Sequence, residues 1–277
     1  MRVVVTGARG FVGRALIRQL ESAGGHEIRP VDSELDLRDE AAVRRLLEDA
    51  RPDVVIHLGG VSGPMVAADD PVRVTAVNAV GTITVLDAAA ALDRPPLVIV
   101  ASSIAAVEQA LTEPRTVYAA TKRFVEDAAG AFRARGVRVI AARLGSVYGP
   151  GRSTDHVVDR LARSILRDGE AVYDPEVLEP LVHVDDVARL ILGLVTAAAR
   201  HRLSETYTFV QALVPHEEIA RTVAAALGKT VMTRHTLGTR LRWTEPLDSR
   251  ALLRDTGMAF AVPLSEGLAR TASSVTA

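Results

Sequence analysis

Residues 2–13 read RVVVTGARGFVG and combine a short apolar run, a glycine-rich turn and the start of a second apolar pattern. Val3, Val4 and Val5 are β-branched and too few for a helix, so they predict a buried central strand. From Phe11 onward the apolar residues recur at helical spacing, which predicts an amphipathic helix. The chain therefore opens with a strand, a turn and a helix.

The turn contains Gly7, Gly10 and Gly13 in the spacing G-x-x-G-x-x-G. Gly7 permits a tight turn, Gly10 allows the backbone to approach a pyrophosphate, and Gly13 allows close packing of helix on strand. The free N–H groups at the helix start would then face the anion. A glycine triplet also suits a purely structural turn, but the strand before it and the helix after it favour dinucleotide binding.

Composition excludes several classes of function. The 277 residues include 48% apolar and 24% charged residues, typical of a soluble globular chain, and the net charge of -1 gives no field for nucleic acid or an acidic membrane. The absence of cysteine excludes disulfides, thiolate metal ligands and a cysteine nucleophile. No signal-peptide pattern opens the chain, and the apolar run at 190–199 is too short to cross a bilayer. We therefore expect a cytoplasmic protein.

Strand patterns at 3–5, 26–32, 53–58, 97–103 and 137–143 alternate with helical ones. This alternation predicts an α/β fold with a parallel sheet covered on both faces. After Gly149 the alternation of strand and helix patterns becomes less regular. We predict a dinucleotide-binding core at 1–150 and a small substrate lobe at 151–277, with residues 183–188 returning to the core and the tail TASSVTA (271–277) disordered.

Asp32 lies at the end of the predicted second strand, 19 residues after Gly13. A carboxylate there can accept the adenosine ribose hydroxyls and repel a 2′-phosphate, which favours NAD over NADP; the alternative is a loop aspartate without this role. Arg9, inside the glycine turn, favours NADP. The two together leave a preference for NAD.

Three further features concern the cofactor. Asp36 and Leu37 are predicted near the adenine; the alternative is that Asp39 or Asp36 only caps the next helix. Gly59-Gly60 ends the third strand, which suggests backbone close to a ligand. Asn78 lies within a predicted helix, where asparagine is a poor helix former. It is either a hydrogen-bonding group behind the active site or a solvent-facing residue.

Tyr118 and Lys122, in VYAATK, lie on one face of the helix after the fourth strand. A phenol titrates near pH ~10, and a nearby ammonium favours the phenolate, which could exchange a proton with an alcohol or a carbonyl. Such a pair also arises by chance. Ser103 ends the fourth strand, where α/β sheets bind ligands, and could hydrogen-bond the substrate oxygen. Ser102 is its neighbour in the backbone network or has that role itself, and either serine could be a simple turn residue.

With these motifs the chain resembles the extended short-chain dehydrogenases/reductases, the NAD-dependent epimerase/dehydratase family. The resemblance covers nearly the whole chain and rests on TGARGFVG, Asp32, HLGG in place of the family's HLAA, NAVGT, ASS, YAATK, RLGSVYGPG and LVHVDDVA. It implies a Rossmann-like doubly wound sheet, a bound nicotinamide cofactor and a catalytic set of Ser103, Tyr118 and Lys122. It also implies a homodimer through the two long helices that carry Asn78 and Tyr118.

Departures from the family bear on the substrate. Many sugar-nucleotide members have Arg-Asp-aromatic before His-Val-Asp-Asp, where the arginine meets a phosphate; here the positions read Glu179-Pro180-Leu181. Ser146 replaces the family's asparagine before Val-Tyr-Gly, and Arg152 or Arg163 could substitute as a phosphate ligand. Ile104-Ala105 replaces the dehydratases' Asp-Glu, which argues against dehydration. TEPRTVYAATK and RSTDHVVD also resemble threonine-dehydrogenase-type members, which oxidise a small unphosphorylated alcohol.

We predict hydride transfer between NAD or NADP and a secondary alcohol or ketone of a sugar or nucleotide-sugar-like substrate. Tyr118 would be the acid/base, Lys122 would lower its pKa and bind the ribose, and Ser103 would position the reacting oxygen. The same residues would serve an epimerase if the substrate turned over in the site. Alternatives are a dehydrogenase or ketoreductase of a small non-nucleotide substrate and a non-catalytic NAD(P)-binding sensor.

The remaining site predictions complete this set. His183, Asp185 and Asp186 could suggest a metal site, but no further ligand stands at a suitable spacing, so we predict no metal. Asp185 is instead predicted at or near a helix N-cap, and His183 is predicted to pack against the fifth strand. No nucleic acid or membrane is expected as a partner. Cofactor contacts are predicted for Gly7, Arg9, Gly10, Phe11, Val12, Asp32, Asp36, Leu37, Leu58, Gly59, Gly60, Asn78, Ala101, Ser102, Tyr118, Lys122 and Arg143. Substrate contacts are predicted for Ser62, Ser103, Ser146, Arg152 and His183.

Overall fold

The computed structural model describes residues 1–63, 68–110, 116–236, 241–243 and 245–275. The strands are β1 (Arg2–Thr6), β2 (Glu27–Val31), β3 (Val54–His57), β4 (Leu97–Ser103), β5 (Glu108–Ala110), β6 (Val139–Leu144), β7 (Ser146–Tyr148), β8 (Glu170–Tyr173), β9 (Leu178–His183), β10 (Thr206–Phe209), β11 (Ala212–Pro215), β12 (Met232–His235) and β13 (Leu241–Trp243). The helices are α1 (Phe11–Ala23), α2 (Glu40–Ala50), α3 (Pro71–Ala90), α4 (Val117–Ala134), α5 (Val157–Asp168), α6 (Val184–Ala198), α7 (His216–Ala226), α8 (Arg250–Thr256) and α9 (Leu264–Ser273).

The central sheet is parallel and has the strand order β10-β6-β4-β3-β1-β2. Val3 of β1 lies opposite Ile28 on one side and Val54 on the other. The chain first winds outward from β1 to β2 and then continues on the other side with β3. Ligands of such sheets bind beyond the carboxyl ends of the strands at this point of reversal. The predicted Rossmann-like, doubly wound sheet is confirmed.

Alternate side chains of β1 face two different helical layers. Val3 and Val5 pack in a cluster with α1 and α6, whereas Val4 packs in a second cluster with α2, α3 and α4. All three valines are buried, each burial being worth on the order of 1.5–3 kcal/mol. Burial on both faces explains why β1 is a continuous apolar run instead of an alternating one.

The chain beyond residue 150 contributes to the sheet and also builds a separate apolar cluster. β10 pairs in parallel with β6, and α6 packs against α1. The smaller sheet β11-β9-β7 packs with α5, α7 and α9 around the third cluster. The division into a core at 1–150 and a lobe at 151–277 stays a prediction.

The C-terminal tail is ordered at its start, so the prediction of a disordered segment at 271–277 is wrong there. Residues up to Ser273 belong to α9, and Thr271 and Ala272 are fully buried. The Thr271 hydroxyl donates to the Gly267 carbonyl oxygen at 2.7 Å, which satisfies it within the helix. Small side chains are typical of a disordered tail in sequence. Here they allow α9 to pack closely on α5 and α7. Residues 276–277 lie outside the described part of the chain.

Within the described residues, α3 is long and apolar enough to cross a membrane by length and composition alone. An 18-residue stretch of this helix has a mean hydropathy of 1.2, and 56% of that stretch is buried inside the protein. Leu86 and Ala89 are fully buried in the cluster that α3 shares with α4. The apolar face of α3 is therefore used for packing against the sheet, as in a core helix.

Candidate active site

The glycine turn after β1 forms a cradle that only small residues allow. Gly7 has a φ of 70°, a left-handed conformation that favours glycine. A Cβ on Gly13 would lie 2.1 Å from the Gly7 carbonyl oxygen, so any side chain there would force α1 away from the turn. Gly10 is the N-cap of α1, and none of the side chains that the structure describes caps this helix. The free N–H groups of its first turn thus fit a dinucleotide pyrophosphate.

His57 connects the carboxyl ends of β1 and β3 beside this turn. Its Nδ1 accepts from the Thr6 hydroxyl at 2.7 Å, and its Nε2 lies 3.1 Å from the Thr82 hydroxyl. Thr82 donates to the Asn78 carbonyl oxygen at 2.6 Å, so Nε2 is the nitrogen that carries the hydrogen. Burial, and secondly Lys122, lowers the pKa of His57 to about 3. The imidazole is therefore neutral and has a structural role.

A cavity of about 840 Å³ opens at the carboxyl edge of the sheet, within the usual size range of ligand sites. The glycine turn, the loops after β3 and β4, the start of α4 and the segment before β9 all contribute to its wall. The structure brings the following predicted residues to it: Gly7, Gly10, Phe11, Val12, Leu58, Gly60, Ser62, Ala101, Ser102, Ser103, Tyr118, Lys122, Ser146 and Arg152.

Lys122 lies beside Tyr118 in this cavity. It is 9% exposed, its Nζ donates to the Ala101 carbonyl oxygen at 2.9 Å, and the same atom lies 5.7 Å from the centroid of the Tyr118 ring. Burial lowers the pKa of Lys122 to about 8, so the ammonium form still predominates at pH 7. Ser103 lines the same cavity from the end of β4, and its hydroxyl oxygen accepts from the Ala105 N–H at 3.2 Å.

Ser102 and Ser103 differ in their partners. Ser102 is 2% exposed and donates its hydroxyl hydrogen to Glu126 Oε1 at 2.7 Å. Glu126 also accepts from Arg143 at 2.8 and 2.7 Å, and Arg143 donates to Glu245 at 2.6 Å. The Ser102 hydroxyl and the Arg143 guanidinium are thus used within the protein, and Arg143 does not line the cavity.

Asn78 is 2% exposed, so the solvent-facing alternative is wrong. It lies in a π-helical turn of α3, Ala76–Val80, a distortion often found at functional sites. Its Oδ1 accepts from the Val61 N–H at 2.8 Å, and its Nδ2 donates to the Val61 carbonyl oxygen at 3.0 Å and to the Thr121 hydroxyl at 3.2 Å. Asn78 therefore joins a loop of the cavity wall to α4.

Several predicted cofactor residues lie outside the cavity wall, around the end of β2. Asp32 Oδ2 accepts from the Arg9 backbone N–H at 2.8 Å, and the Arg9 guanidinium pairs with Glu34 at 2.5 Å. Arg38 lies 2.7 Å from Asp36 and lowers the pKa of Asp36 to about 2. Leu37 lies against Gly59: a Cβ atom added to Gly59 would lie 2.6 Å from the Cδ1 atom of Leu37.

His183 is fully buried and does not line the cavity. It is the N-cap of α6, where its Nδ1 accepts from the Asp185 N–H at 3.2 Å. Asp185 therefore lies near the N-cap, as predicted, in the first turn of α6. The His183 ring packs edge-on against Tyr148 of β7, with 5.3 Å between centroids.

Two polar groups to which the sequence analysis gave no role meet Ser146 at the cavity. His156 Nε2 lies 2.9 Å from Ser146 Oγ, and burial lowers the pKa of His156 to about 4. Glu179 lines the cavity and lies 3.1 Å from His216 Nε2. In the sequence Glu179 stands out only as a departure from the family pattern. Its contacts could not be predicted, because Glu179 and its polar neighbours belong to distant segments that meet only in the folded chain.

Comparison with known proteins agrees with this geometry. The model of the NAD dependent epimerase/dehydratase family matches residues 3–208. GDP-6-deoxy-D-mannose reductase of Pseudomonas aeruginosa is 30% identical over 217 residues, 70% of either chain. GDP-6-deoxy-D-talose 4-dehydrogenase of Aggregatibacter actinomycetemcomitans is 24% identical, over 71% of this chain and 70% of its own. The solved structure of UDP-glucose 4-epimerase from Thermus thermophilus in complex with NAD has a TM-score of 0.82 at 25% identity, with 99% of this chain and 98% of that chain covered.

The family match spans the glycine turn, the cavity wall and the sheet together. Fold, site and sequence thus agree with one another. The chain belongs to the NAD dependent epimerase/dehydratase family and is an NAD(P)-dependent oxidoreductase or epimerase.

Proposed function

We propose that the chain transfers hydride at a secondary alcohol or ketone of a nucleotide sugar, with Tyr118 as the acid/base. The observation that carries this proposal is the convergence of Tyr118, Lys122 and Ser103 on one cavity that begins at the glycine turn. The position of the Lys122 ammonium, 5.7 Å from the Tyr118 ring centroid, favours the phenolate. A cofactor-binding sensor would not need these three side chains in one place.

Each residue has a distinct role in this proposal. When bound, the nicotinamide cofactor accepts or supplies the hydride. The Tyr118 phenolate takes the hydroxyl proton of the alcohol, and the phenol returns it when a carbonyl is reduced. Lys122 stabilises the phenolate and, in this proposal, donates a hydrogen bond to the cofactor ribose. Ser103 donates a hydrogen bond to the reacting oxygen, while Ser102 orients Glu126.

Two observations bear on the substrate. The named relatives act on GDP-sugars, and the similar solved structure is a UDP-glucose 4-epimerase. Arg152 lines the cavity, with its guanidinium carbon 5.7 Å from the Phe11 ring centroid, and offers a cation to a diphosphate. Glu179 lines the same cavity and keeps the second candidate open, a small substrate without a nucleotide.

The test is turnover of a panel by the purified protein with NAD or NADP. UDP-, GDP- and dTDP-hexoses are compared with free hexoses and threonine, by nicotinamide absorbance for oxidation or reduction and by NMR for epimer formation. We expect turnover of at least one nucleotide sugar and none of threonine. Turnover of threonine or free hexoses alone would replace the nucleotide-sugar proposal by the small-substrate one.

For the cofactor we propose NAD, because Asp32 and Glu34 both surround the Arg9 guanidinium at the end of β2. Their negative charge opposes a 2′-phosphate. Asp32→Asn removes one charge at nearly constant shape, and we expect the NAD-to-NADP affinity ratio to fall about 10-fold, since a factor of ten requires only about 1.4 kcal/mol. Calorimetric titration measures it. Asp36→Asn, whose carboxylate is bound to Arg38, is the matched control; an equal fall there would contradict the assignment.

We also propose a homodimer through α3 and α4. Val72 and Val80 of α3 and Phe124 of α4 are exposed apolar side chains, at 79%, 48% and 41%. A dimer would remove them from water and would bring the mass to twice the 29.5 kDa of the chain. Light scattering that gives the single-chain mass at micromolar concentration would exclude it.

A cytoplasmic location stays a prediction.

A further inference from the structure

Glu179 brings a carboxylate into the cavity at the end formed by β9, here called the β9 end. Its side chain is 22% exposed, and His216 Nε2 donates to its Oε2 at 3.1 Å. The Ser146 hydroxyl is a second hydrogen-bonding partner. A carboxylate has about four acceptor positions, so Glu179 keeps acceptor capacity on the side that faces the cavity.

The ring of His156 fixes the direction of these hydrogen bonds. Its Nδ1 accepts from the Val158 N–H at 3.3 Å, so Nε2 carries the hydrogen and donates to Ser146 Oγ at 2.9 Å. Since Ser146 accepts this bond, its own hydrogen is directed to Glu179. Burial and the charge of Arg152 keep the pKa of His156 low, so the ring stays neutral at pH 7 and the order of donors is preserved.

This arrangement keeps Glu179 ionised. Burial is the largest single influence and acts to raise its pKa, but the hydrogen bonds from His216 and Ser146, together with the electrostatic effect of the His156 and His216 rings, hold the pKa below its usual value. A partly desolvated carboxylate repels a phosphate strongly, because the surroundings screen less than water does. The same carboxylate binds a hydrogen-bond donor of a ligand well.

Arg152 is one of the cations of the cavity, which Lys122 and Arg73 also line. Arg152 donates to the Val147 and Thr154 carbonyl oxygens and lies over the ring of Phe11, at the start of α1. Glu179 lies near enough for its charge to act on Arg152, so the cavity has a positive group over Phe11 and a negative group in β9 that influence each other. A ligand that carries both a diphosphate and hydroxyl or ammonium groups has one electrostatically favoured orientation in it.

We propose that Glu179 determines substrate specificity: it binds a hydroxyl or ammonium group of the substrate, excludes phosphate from the β9 end, and so directs a substrate diphosphate to Arg152. This inference rests on the proposed function, because it assigns the parts of a nucleotide-sugar-like substrate to two charged side chains of the same cavity. It does not depend on hydride transfer by Tyr118.

The experiment is calorimetric titration of the NAD-saturated protein with UDP, GDP and dTDP. We expect Glu179→Gln to bind at least one of them at least 5-fold more tightly than the unaltered chain, or to bind one that the unaltered chain does not. Glu218→Gln removes the same charge from an exposed side chain of α7 outside the cavity wall and should change affinity less than 2-fold. Arg152→Gln should weaken binding at least 10-fold.

The inference is overturned if Glu179→Gln binds these nucleotides no more tightly than the unaltered chain, or if neither binds any of them. It is also overturned if Arg152→Gln binds them as well as the unaltered chain does. Should the melting temperature show that Glu179→Gln is not folded, Glu179→Ala takes its place with the same expectation. Because the readout is binding, a protein without hydride-transfer activity would contradict the proposed function and leave this result readable.

Discussion

Tyr118→Phe should lower kcat about 10³-fold with little change in KM or NAD affinity. The substitution keeps the ring beside Lys122 and removes only the group that exchanges a proton with the substrate oxygen. Proton transfer by a positioned side chain contributes typically ~10²–10⁴-fold, and without the phenol only water remains to act. Because the missing interaction operates in the transition state, kcat and kcat/KM should fall together. Steady-state kinetics on whichever substrate of the panel turns over provides the measurement.

Tyr148→Phe is the matched control for this experiment. Tyr148 is fully buried outside the cavity wall, and within the described residues its hydroxyl has no hydrogen-bond partner. Its removal should therefore leave kcat within 2-fold. If Tyr118→Phe keeps more than a tenth of the activity while Tyr148→Phe behaves as expected, Tyr118 is not the acid/base.

The glycine turn could be predicted because its requirements are local. A reversal between strand and helix needs a left-handed residue at Gly7, and close packing needs Gly13, so both are legible within residues 2–13. The same holds for Tyr118 and Lys122, whose spacing in a helix places them on one face. Ser103 follows from the rule that parallel strands meet ligands at their carboxyl ends.

Other parts of the site depend on contacts between distant segments. Ser102 and Ser103 are equivalent in sequence, and what separates them is Glu126, which accepts from Ser102 only after α4 has folded onto β4. Glu179 accepts hydrogen bonds from Ser146 of β7 and His216 of α7, two elements far apart in the sequence. Short strands such as β7 likewise lack a pattern of their own, because their partners are far along the chain.

Lys122→Met should abolish most activity and at the same time raise the free energy of unfolding at pH 7. A buried ammonium whose pKa falls from 10.5 to about 8 carries a cost of about 3 kcal/mol relative to the neutral form. Methionine fills a similar volume without that cost. Loss of the hydrogen bond to the Ala101 carbonyl oxygen destabilises the folded chain by about 1 kcal/mol, which offsets part of the gain. We therefore expect a net gain of about 1–2 kcal/mol, measured by urea denaturation, with kcat lowered about 10²-fold or more.

The pH dependence distinguishes this charge effect from better packing. Below pH 8 both the folded and the unfolded chain keep the Lys122 proton, so the cost is fully present. Between pH 8 and 10.5 the folded chain releases the proton while the unfolded chain keeps it, so stability of the unaltered protein rises with pH. The advantage of Lys122→Met must then shrink over that interval, whereas Lys229→Met, at an exposed lysine, should show no advantage at any pH. An advantage that stays constant to pH 10.5 would mean that the folded and unfolded chains hold the Lys122 proton equally well. Burial would then leave the ammonium without an electrostatic cost, and the gain in stability would come from packing alone.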